Sequence, residues 1–309
     1  MNDKEIISIV IPVYNEAHIV KQCIMEVISG VEKKIPCYEI ILIDDGSKDK
    51  TWQEIKRLKQ KLPCIKAIRF TRNFGKEAAI VAGLKKSKGR AVIVMDADLQ
   101  HPPSLIPEMV KIWQTTGIPV IEAVKRQRQA ENQIKRFFTC VFYKVFNALT
   151  GINLNNYTDF KLLDRKVVNT YLCMPERFRF FRGLIKWVGY KYAVIYFSPP
   201  PRKSGHSKWS FKKLLNFAWQ SIVAFSSIPL RIIAFLGVFI LLIAGFISLR
   251  TIYLKLTGKA IAGFTTVILL QLIIGSSLMI ALGIIGEYLA KIYEETKKRP
   301  LYIVEEELE

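Results

Sequence analysis

Two stretches of this chain contain no charged residue, Ile232–Leu249 and Ala260–Gly286. A helix of about 20 apolar residues crosses the ~30 Å hydrocarbon layer of a bilayer, so both runs are long enough to span one. Buried core helices are the competing reading, and runs of this length disfavour it. Arg231 and Arg250 bracket the first run, Lys259 and Glu287 the second, and the link between them is short. The pattern predicts two transmembrane helices, over 232–252 and 262–286, forming a hairpin with both chain ends on one side. Basic residues set its orientation. Arg202, Lys203, Lys208, Lys212, Lys213 and Arg231 precede the first span, Lys291, Lys297, Lys298 and Arg299 follow the second, and only Arg250, Lys255 and Lys259 lie between. The positive-inside bias therefore predicts a multi-pass protein of the cell (inner) membrane with both termini cytoplasmic.

Charge narrows the partners. Lys and Arg number 46 against 26 Asp and Glu, a formal charge of +20. Such an excess implies an anionic partner: nucleic acid, a phosphorylated substrate or an anionic lipid surface. Between Arg177 and Gly286 there is no acidic residue at all. A one-signed segment beside a membrane is expected to lie against anionic lipid headgroups, and two spans argue for no nucleic acid. Within it Trp209, Phe211, Leu214, Leu215, Phe217, Trp219, Ile222 and Phe225 alternate with Lys212 and Lys213, the pattern of an interfacial amphipathic helix. Five scattered cysteines without a CxxC indicate neither a disulfide framework nor a zinc site. The N-terminal apolar run stops at Pro12 and does not read as a secretory signal.

The first half of the chain alternates in another way. Short β-branched runs recur at Ile6–Ile11, Glu39–Ile43, Ile65–Phe70, Ala91–Met95 and Pro119–Ala123. Helical patterns fall between them, near Ala17–Val31, Thr51–Lys61, Lys76–Ser87 and Ser104–Thr115. This is an α/β fold, a mainly parallel sheet with helices on both faces. Ligands of such sheets bind beyond the carboxyl ends of the strands. Four of those ends carry polar or turn-forming groups: Pro12-Val13-Tyr14-Asn15-Glu16, Asp44-Asp45-Gly46-Ser47, Thr71-Arg72-Asn73-Phe74-Gly75-Lys76 and Asp96-Ala97-Asp98-Leu99-Gln100-His101. Asp96 and Asp98 stand two apart, where a bend lets both face one hard divalent cation that keeps substrate phosphates as further ligands. An isolated pair of this kind more often caps a strand–helix junction, but the neighbouring Asp44 and Asp45 shift the balance towards a site. Neither a P-loop nor a dinucleotide-binding glycine motif is present.

The set Val10–Glu16 (VIPVYNE), Asp44–Ser47 (DDGS), Arg72–Lys76 (RNFGK) and Met95–Gln100 (MDADLQ) resembles family-2 glycosyltransferases of the GT-A fold. Arg177–Gly189 (RFRFFRGLIKWVG), Arg202–Trp209 (RKSGHSKW) and the two-span tail are similar to the polyprenyl-phosphate glycosyltransferases, the group of bactoprenol glucosyltransferases and dolichol-phosphate mannose synthases. The resemblance covers nearly the whole chain. It implies transfer of a hexose from a nucleotide sugar, with UDP-glucose favoured over GDP-mannose or a UDP-N-acetylhexosamine, to polyprenyl (undecaprenyl) phosphate with inversion. It also implies that Asp96, Asp98 and Gln100 hold Mg²⁺ or Mn²⁺, and that Pro12, Tyr14, Glu16, Asp44, Asp45, Lys76, Asp96 and Ala97 form the nucleotide pocket. Either Asp44 or Asp45 reads the base. Asp159 matches an acidic position of the acceptor-side motif, where it orients the acceptor, acts as base or pairs with an arginine. An acceptor phosphate is already ionised near neutral pH, so it needs steering cations more than a strong base; the candidates are Arg126, Arg128, Arg136, Arg202 and Ser204, together with Lys125 and Lys135. His206 stands where the family commonly has an acid.

The expected organisation is a catalytic domain over 1–200, a juxtamembrane loop and amphipathic helix over 201–230, the hairpin over 231–288 and a cytoplasmic tail over 289–309. Glu305–Glu309 reads as a solvated tail; His18, His101 and His206 lack metal-ligand spacing, and His18 and His101, next to site motifs, read as exposed or capping residues. Gly275, Ser276, Ser277, Gly283 and Gly286 permit close helix contacts and hence a homo-oligomer. Two rival functions are weighed: a processive polysaccharide synthase, disfavoured by the absence of QxxRW, and a non-catalytic membrane scaffold, disfavoured by the intact acidic motifs.

Overall fold

The computed structural model describes residues 6–126, 147–148, 157–198, 220, 223, 226–257 and 263–309. They fall into two compact units, one within Met1–Ser210 plus Arg299–Glu309 and one within Phe211–Lys298. Arg128, Arg136, Arg202, Ser204, Lys135, His206 and nearly all of the expected amphipathic helix lie outside the described residues.

The first unit is built on one eight-stranded sheet. Its strands are β1 (Ile7–Val13), β2 (Tyr38–Asp44), β3 (Ile65–Phe70), β4 (Ala91–Val94), β5 (Val120–Lys125), β6 (Tyr157–Asp164), β7 (Tyr192–Phe197) and β8 (Val304–Leu308). Their spatial order is β7-β5-β6-β4-β1-β2-β3-β8. The block β4-β1-β2-β3 is parallel throughout, whereas β6 runs antiparallel to both β4 and β5, and β8 antiparallel to β3. Strands β1 to β4 are buried nearly along their length, as expected of a parallel sheet covered on both faces.

Helices α1 (Val20–Val31), α2 (Thr51–Lys61), α3 (Lys76–Lys86) and α4 (Ile106–Thr116) provide that cover. Helix α1 buries Val20, Cys23, Ile24, Val27, Ile28 and Val31, the three-to-four spacing of a single core-facing stripe. Helix α3 buries every residue from Ala78 to Leu84, so its small side chains let it lie close to β1 and β2. A 3₁₀ turn, Pro103–Leu105, leads into α4, which ends at Gly117 in the left-handed conformation. Later come α5 (Arg165–Cys173) and α6 (Phe181–Trp187).

The sheet order also says where to look for a site. From β1 the chain winds one way to β2 and β3, while β4 lies on the other side of β1. The crevice between the carboxyl ends of β1 and β4 is thus a topological switch point, the usual ligand position in an open parallel sheet.

One expectation is overturned. The acidic C-terminal run is not a free solvated tail: still partly exposed, it forms β8 on the edge of the sheet beside β3. Four basic or donor side chains meet it. Lys56 and the Trp52 Nε1 reach Glu306 at 2.6 and 2.8 Å, Arg69 lies 3.4 Å from Glu305, and Lys86 pairs with Glu307 and Glu309. A run of like charge is driven into solvent only when opposite charges are absent, and β3 with its neighbouring helices supplies them.

The second unit holds α7 (Ile228–Leu256) and α8 (Phe264–Thr296). Within them Ile228–Leu254 and Leu270–Thr296 are each long and apolar enough to cross a membrane. At 1.5 Å per residue, 27 residues span about 40 Å. None of either span's most apolar window is buried in the protein. Long apolar stretches left exposed in this way suit lipid better than water and suggest an association with membranes. The Tyr288 hydroxyl donates to the Ser226 carbonyl at 2.7 Å, joining α8 to the residues just before α7.

Candidate active site

The rim begins with the turns that leave β1 and β2. Asn15 adopts a left-handed conformation, φ 53°, and joins the two turns: its N–H donates to Ser47 Oγ at 2.8 Å and its Oδ1 accepts from the Lys48 N–H at 2.9 Å. The Glu16 N–H donates to Thr51 Oγ1 at 2.9 Å, continuing the join to the start of α2. Pro12, Tyr14 and Glu16 are half-buried along this edge. Leu99, in the turn after β4, is likewise left-handed at φ 57°. Strained backbone at both turns marks positions over-determined by their surroundings.

Asp44 and Asp45 do different things. Asp44, fully buried, accepts from the Ser47 N–H at 3.0 Å through Oδ1, and its Oδ2 faces the Arg69 Nε at 3.6 Å. Burial raises its pKa against those favourable contacts. Asp45 reaches across to the loop after β3, where Oδ1 accepts from the Phe74 N–H at 2.7 Å and Oδ2 from the Gly75 N–H at 3.0 Å. Those amides precede the first turn of α3, where the helix dipole favours an anion. Burial nevertheless pushes Asp45 up to about 6. Two glycines make the approach possible. Gly75 has φ 100°, and a Cβ on Gly46 would stand 2.3 Å from the Arg72 carbonyl carbon.

By ending the loop there, Asp45 places Lys76 at the head of α3. Strand register supplies the partners. In the β4–β6 ladder Ala91 faces Asp164 and Val94 faces Lys161. Continued two residues past the end of β4, the same register sets Asp96 opposite Asp159. Lys76 lies between these carboxylates, its Nζ 2.5 Å from Asp96 Oδ1 and 2.5 Å from Asp159 Oδ2. Arg182 of α6 closes the group in a fork, Nε to Asp159 Oδ1 at 2.6 Å and Nη2 to Oδ2 at 2.9 Å. Burial alone would lower the Lys76 pKa, but the charges of Asp159 and Asp96 raise it. Burial likewise opposes ionisation of Asp159, yet Arg182 and Lys76 hold it well below the ordinary carboxylate range. Asp159 is therefore an ionised anchor for two cations, and a poor proton acceptor at neutral pH.

The turn after β4 is built on a histidine. His101 is buried, its Nδ1 accepts from the Asp96 N–H at 3.0 Å, and its ring stacks on Phe160 at 5.2 Å. Burial lowers its pKa, so it is neutral with its proton on Nε2. The exposed or capping role expected of it is thus replaced by an internal one: it holds the backbone of Asp96 in place. Asp98 Oδ1 accepts from the Gln100 N–H at 3.1 Å, and Ala97 is buried between the two acids. Gln100 is buried, with Oε1 3.4 Å from Lys125 Nζ and, among the described residues, no hydrogen-bond partner for Nε2. Arg126 is exposed, and its N–H donates to the Phe197 carbonyl at 2.8 Å.

This donor set suits a hard divalent cation. Among the described residues no group of three His, Cys, Asp or Glu side chains is placed to hold a metal. A pair of carboxylates completed by ligand oxygens is the arrangement Mg²⁺ and Mn²⁺ adopt on substrate phosphates. The Lys76 ammonium against Asp96 is a cation already standing beside that pair.

Sequence reasoning set Asp96, Asp98, Lys76, Asp44 and Asp45 after the strand ends and the resemblance added Asp159; the structure brings Asp96, Asp159 and Lys76 together, with Asp45 on the amides just before Lys76 and Asp44 buried beside Arg69. Sequence reasoning missed Arg182 as a partner of Asp159, although Arg182 lies in the RFRFFRG run that had been singled out. It also missed Glu77, whose Oε2 accepts from the Phe181 N–H at 3.1 Å and whose pKa burial and the Asp159 charge push up to about 8. No local signal marks Glu77, since its neighbours come from far along the chain.

Comparison with known proteins places the chain in a family. The model of the family "Glycosyl transferase family 2" matches residues 8–172. An uncharacterized glycosyltransferase of Synechocystis sp. is 43% identical over 96% of this chain and 94% of its own length. A prophage bactoprenol glucosyl transferase homolog of Escherichia coli K12 is 37% identical over 96% of this chain and 98% of its own. A bactoprenol glucosyl transferase of Shigella phage SfV is 36% identical, covering 97% and 98%. Among solved structures, the mannosyl-3-phosphoglycerate synthase of Rubrobacter xylanophilus, 17% identical, shares the fold with a TM-score of 0.51 over 74% of each chain. With the family model matching more than half its length and these relatives matching it almost end to end, the chain is a glycosyltransferase and belongs to glycosyltransferase family 2.

Proposed function

We propose that this protein transfers a hexose, with inversion, from a nucleotide sugar to the phosphate of a membrane polyprenol. UDP-glucose is the favoured donor and undecaprenyl phosphate the favoured acceptor. The observation that carries the reading is that relatives named for bactoprenol glucosyl transfer match 96–97% of this chain, a length that includes both apolar helices. Nucleotide-side and lipid-side parts are thus similar together.

The chemistry follows from the rim. Asp96 and Asp98 would hold Mg²⁺ or Mn²⁺, with Gln100 as a further oxygen donor. When bound, that cation neutralises charge developing on the departing nucleoside diphosphate. Pro12, Tyr14, Glu16, Ala97 and the Asp44–Asp45 turn line the nucleotide side. Asp159 deprotonates nothing: an acceptor phosphate arrives ionised, and the paired carboxylate keeps Lys76 and Arg182 charged and in place to meet anionic groups. Direct attack by that phosphate on the anomeric carbon inverts it and needs no covalent intermediate on the protein. Arg126, Arg128, Arg136, Arg202 and Ser204 are the proposed steering groups for the acceptor. The catalytic domain and both termini are proposed to lie on the cytoplasmic side, and a membrane-confined acceptor raises the frequency of productive geometry. A homo-oligomer through the small residues of α8 completes the proposal.

The test is transfer by purified protein in detergent with undecaprenyl phosphate and Mg²⁺ or Mn²⁺, offered labelled UDP-glucose, GDP-mannose and UDP-N-acetylglucosamine separately. Label entering lipid from UDP-glucose, and lost in Asp98→Asn, is the expected result. Lipid labelling from another donor moves the sugar assignment. No nucleotide binding at all sinks the enzymatic reading.

A further inference from the structure

The C-terminal segment reaches the two acids of the nucleotide side, Asp44 through Arg69 and Asp45 through Phe70 and Phe74. Between β3 and β8, Arg69 faces Glu306 but Phe70 faces Val304, so Glu305 is an extra residue in the ladder, a bulge. Bulges re-aim side chains, and here Glu305 is turned onto Arg69, 3.4 Å from its Nε. The same Nε lies 3.6 Å from Asp44 Oδ2. One guanidinium therefore stands between the tail and the buried Asp44.

Tyr302 makes the second link. Its ring stacks on Phe70 at 4.8 Å and 15°, and Phe70 in turn meets Phe74 edge-on at 5.8 Å. Phe74 is the residue whose N–H Asp45 holds. Backbone pairing fastens the segment between these contacts, the Thr71 N–H donating to the Ile303 carbonyl at 3.1 Å, and Arg177 Nη1 anchors its start on the Arg299 carbonyl at 2.6 Å. Farther along, Glu307 and Glu309 pair with Lys86 at the other end of α3, away from the rim.

We infer that the segment after the second apolar helix is part of the donor-binding apparatus, with Glu305 and Tyr302 acting as positioning residues for Asp44 and for the Phe74–Lys76 turn. Neither touches the nucleotide; each fixes a residue that does. The inference rests on the reading that this rim holds the donor's nucleoside diphosphate.

Its test is donor kinetics and UDP binding by the full-length protein in detergent, for wild type, Tyr302→Ala, Glu305→Gln and the control Glu307→Gln. Tyr302→Ala and Glu305→Gln are expected to raise the donor KM and the UDP dissociation constant about two- to tenfold, with the acceptor KM unchanged. Glu307→Gln, on the same strand, is expected to leave both donor constants unchanged whatever it does to the melting temperature. A strand that merely stabilises the domain gives the opposite pattern: all three variants lower the melting temperature and the active fraction, and donor KM stays at the wild-type value. That pattern, or an equal donor effect in Glu307→Gln, overturns the inference. Failure of wild type itself to bind UDP or GDP removes the nucleotide reading of the rim, and this inference with it; normal wild-type binding with unchanged variants removes the inference alone.

Discussion

Asp159→Asn is the most informative single change, because it removes one charge from between two cations. Asp159 is 5% exposed and receives Lys76 Nζ at 2.5 Å and the Arg182 fork at 2.6 and 2.9 Å. Removing one partner of a buried ion pair costs about 3–5 kcal/mol, since the other charge is left uncompensated. The Lys76 and Arg182 side chains are 38% and 29% exposed, so water resolvates part of what the carboxylate leaves behind. The expected loss is then about 2–4 kcal/mol. For a domain of this size each kcal/mol lowers the melting temperature by about 2–4 °C, which predicts a fall of roughly 4–16 °C at pH 7. Intrinsic tryptophan fluorescence of the full-length protein in detergent measures it. The double variant Asp159→Asn/Arg182→Met, which removes the stranded guanidinium, is expected to melt above the single variant. Acid should close the gap with wild type. Asp159 is held well below its unfolded value, so its stabilisation is complete above about pH 4 and is lost as pH falls through the lower folded value. A single variant melting within about 2 °C of wild type at pH 7, or a double variant melting below it, would refute the reasoning.

Three further outcomes are expected. Gly46→Ala, which combines φ +67° with a Cβ 2.3 Å from the Arg72 backbone, should destabilise by about 2 kcal/mol or more and raise the donor KM; a melting curve unchanged from wild type contradicts the packing. Asp45 has a raised pKa, about 6, so it takes up a proton as pH falls through that value and holds the Phe74 and Gly75 amides less well. Donor KM should therefore rise between pH 7 and pH 5, although folding itself gains relative stability from that protonation; a flat donor KM over the range counts against Asp45 as the loop's anchor. Chelation with EDTA should abolish transfer and Mg²⁺ or Mn²⁺ restore it, whereas activity persisting in excess chelator removes the metal from the mechanism.

The strands were legible because a parallel sheet buries both faces. Ile65–Phe70 and Thr51–Lys61 are β3 and α2 as expected, and the other early elements differ from expectation by a few residues at their ends. Strands β6 and β7 escaped notice. Lys161 is buried at the centre of β6 against Glu122, with Lys186 of α6 2.5 Å from the same carboxylate, so charges occupy positions where a hydrophobic pattern is sought. His101 was misjudged for a related reason: a lone histidine shows no periodicity, and only Phe160 and Phe197 around it reveal that it is internal.

The apolar runs, the four polar strand ends and their order are properties of consecutive residues, and the sequence alone determined the fold class, the two apolar helices and which acids follow the strands. Tertiary structure decided which charges meet. Lys76 and Asp159 are 83 positions apart, and antiparallel register sets Asp159 opposite Asp96. The acidic tail reads as solvated until β3 is seen to offer it an open edge with Arg69 on it and Lys56 and Lys86 nearby. Local pattern reports which face of an element is apolar. Pairing of charges depends on strand order and register, which appear only when segments distant in the chain are brought side by side.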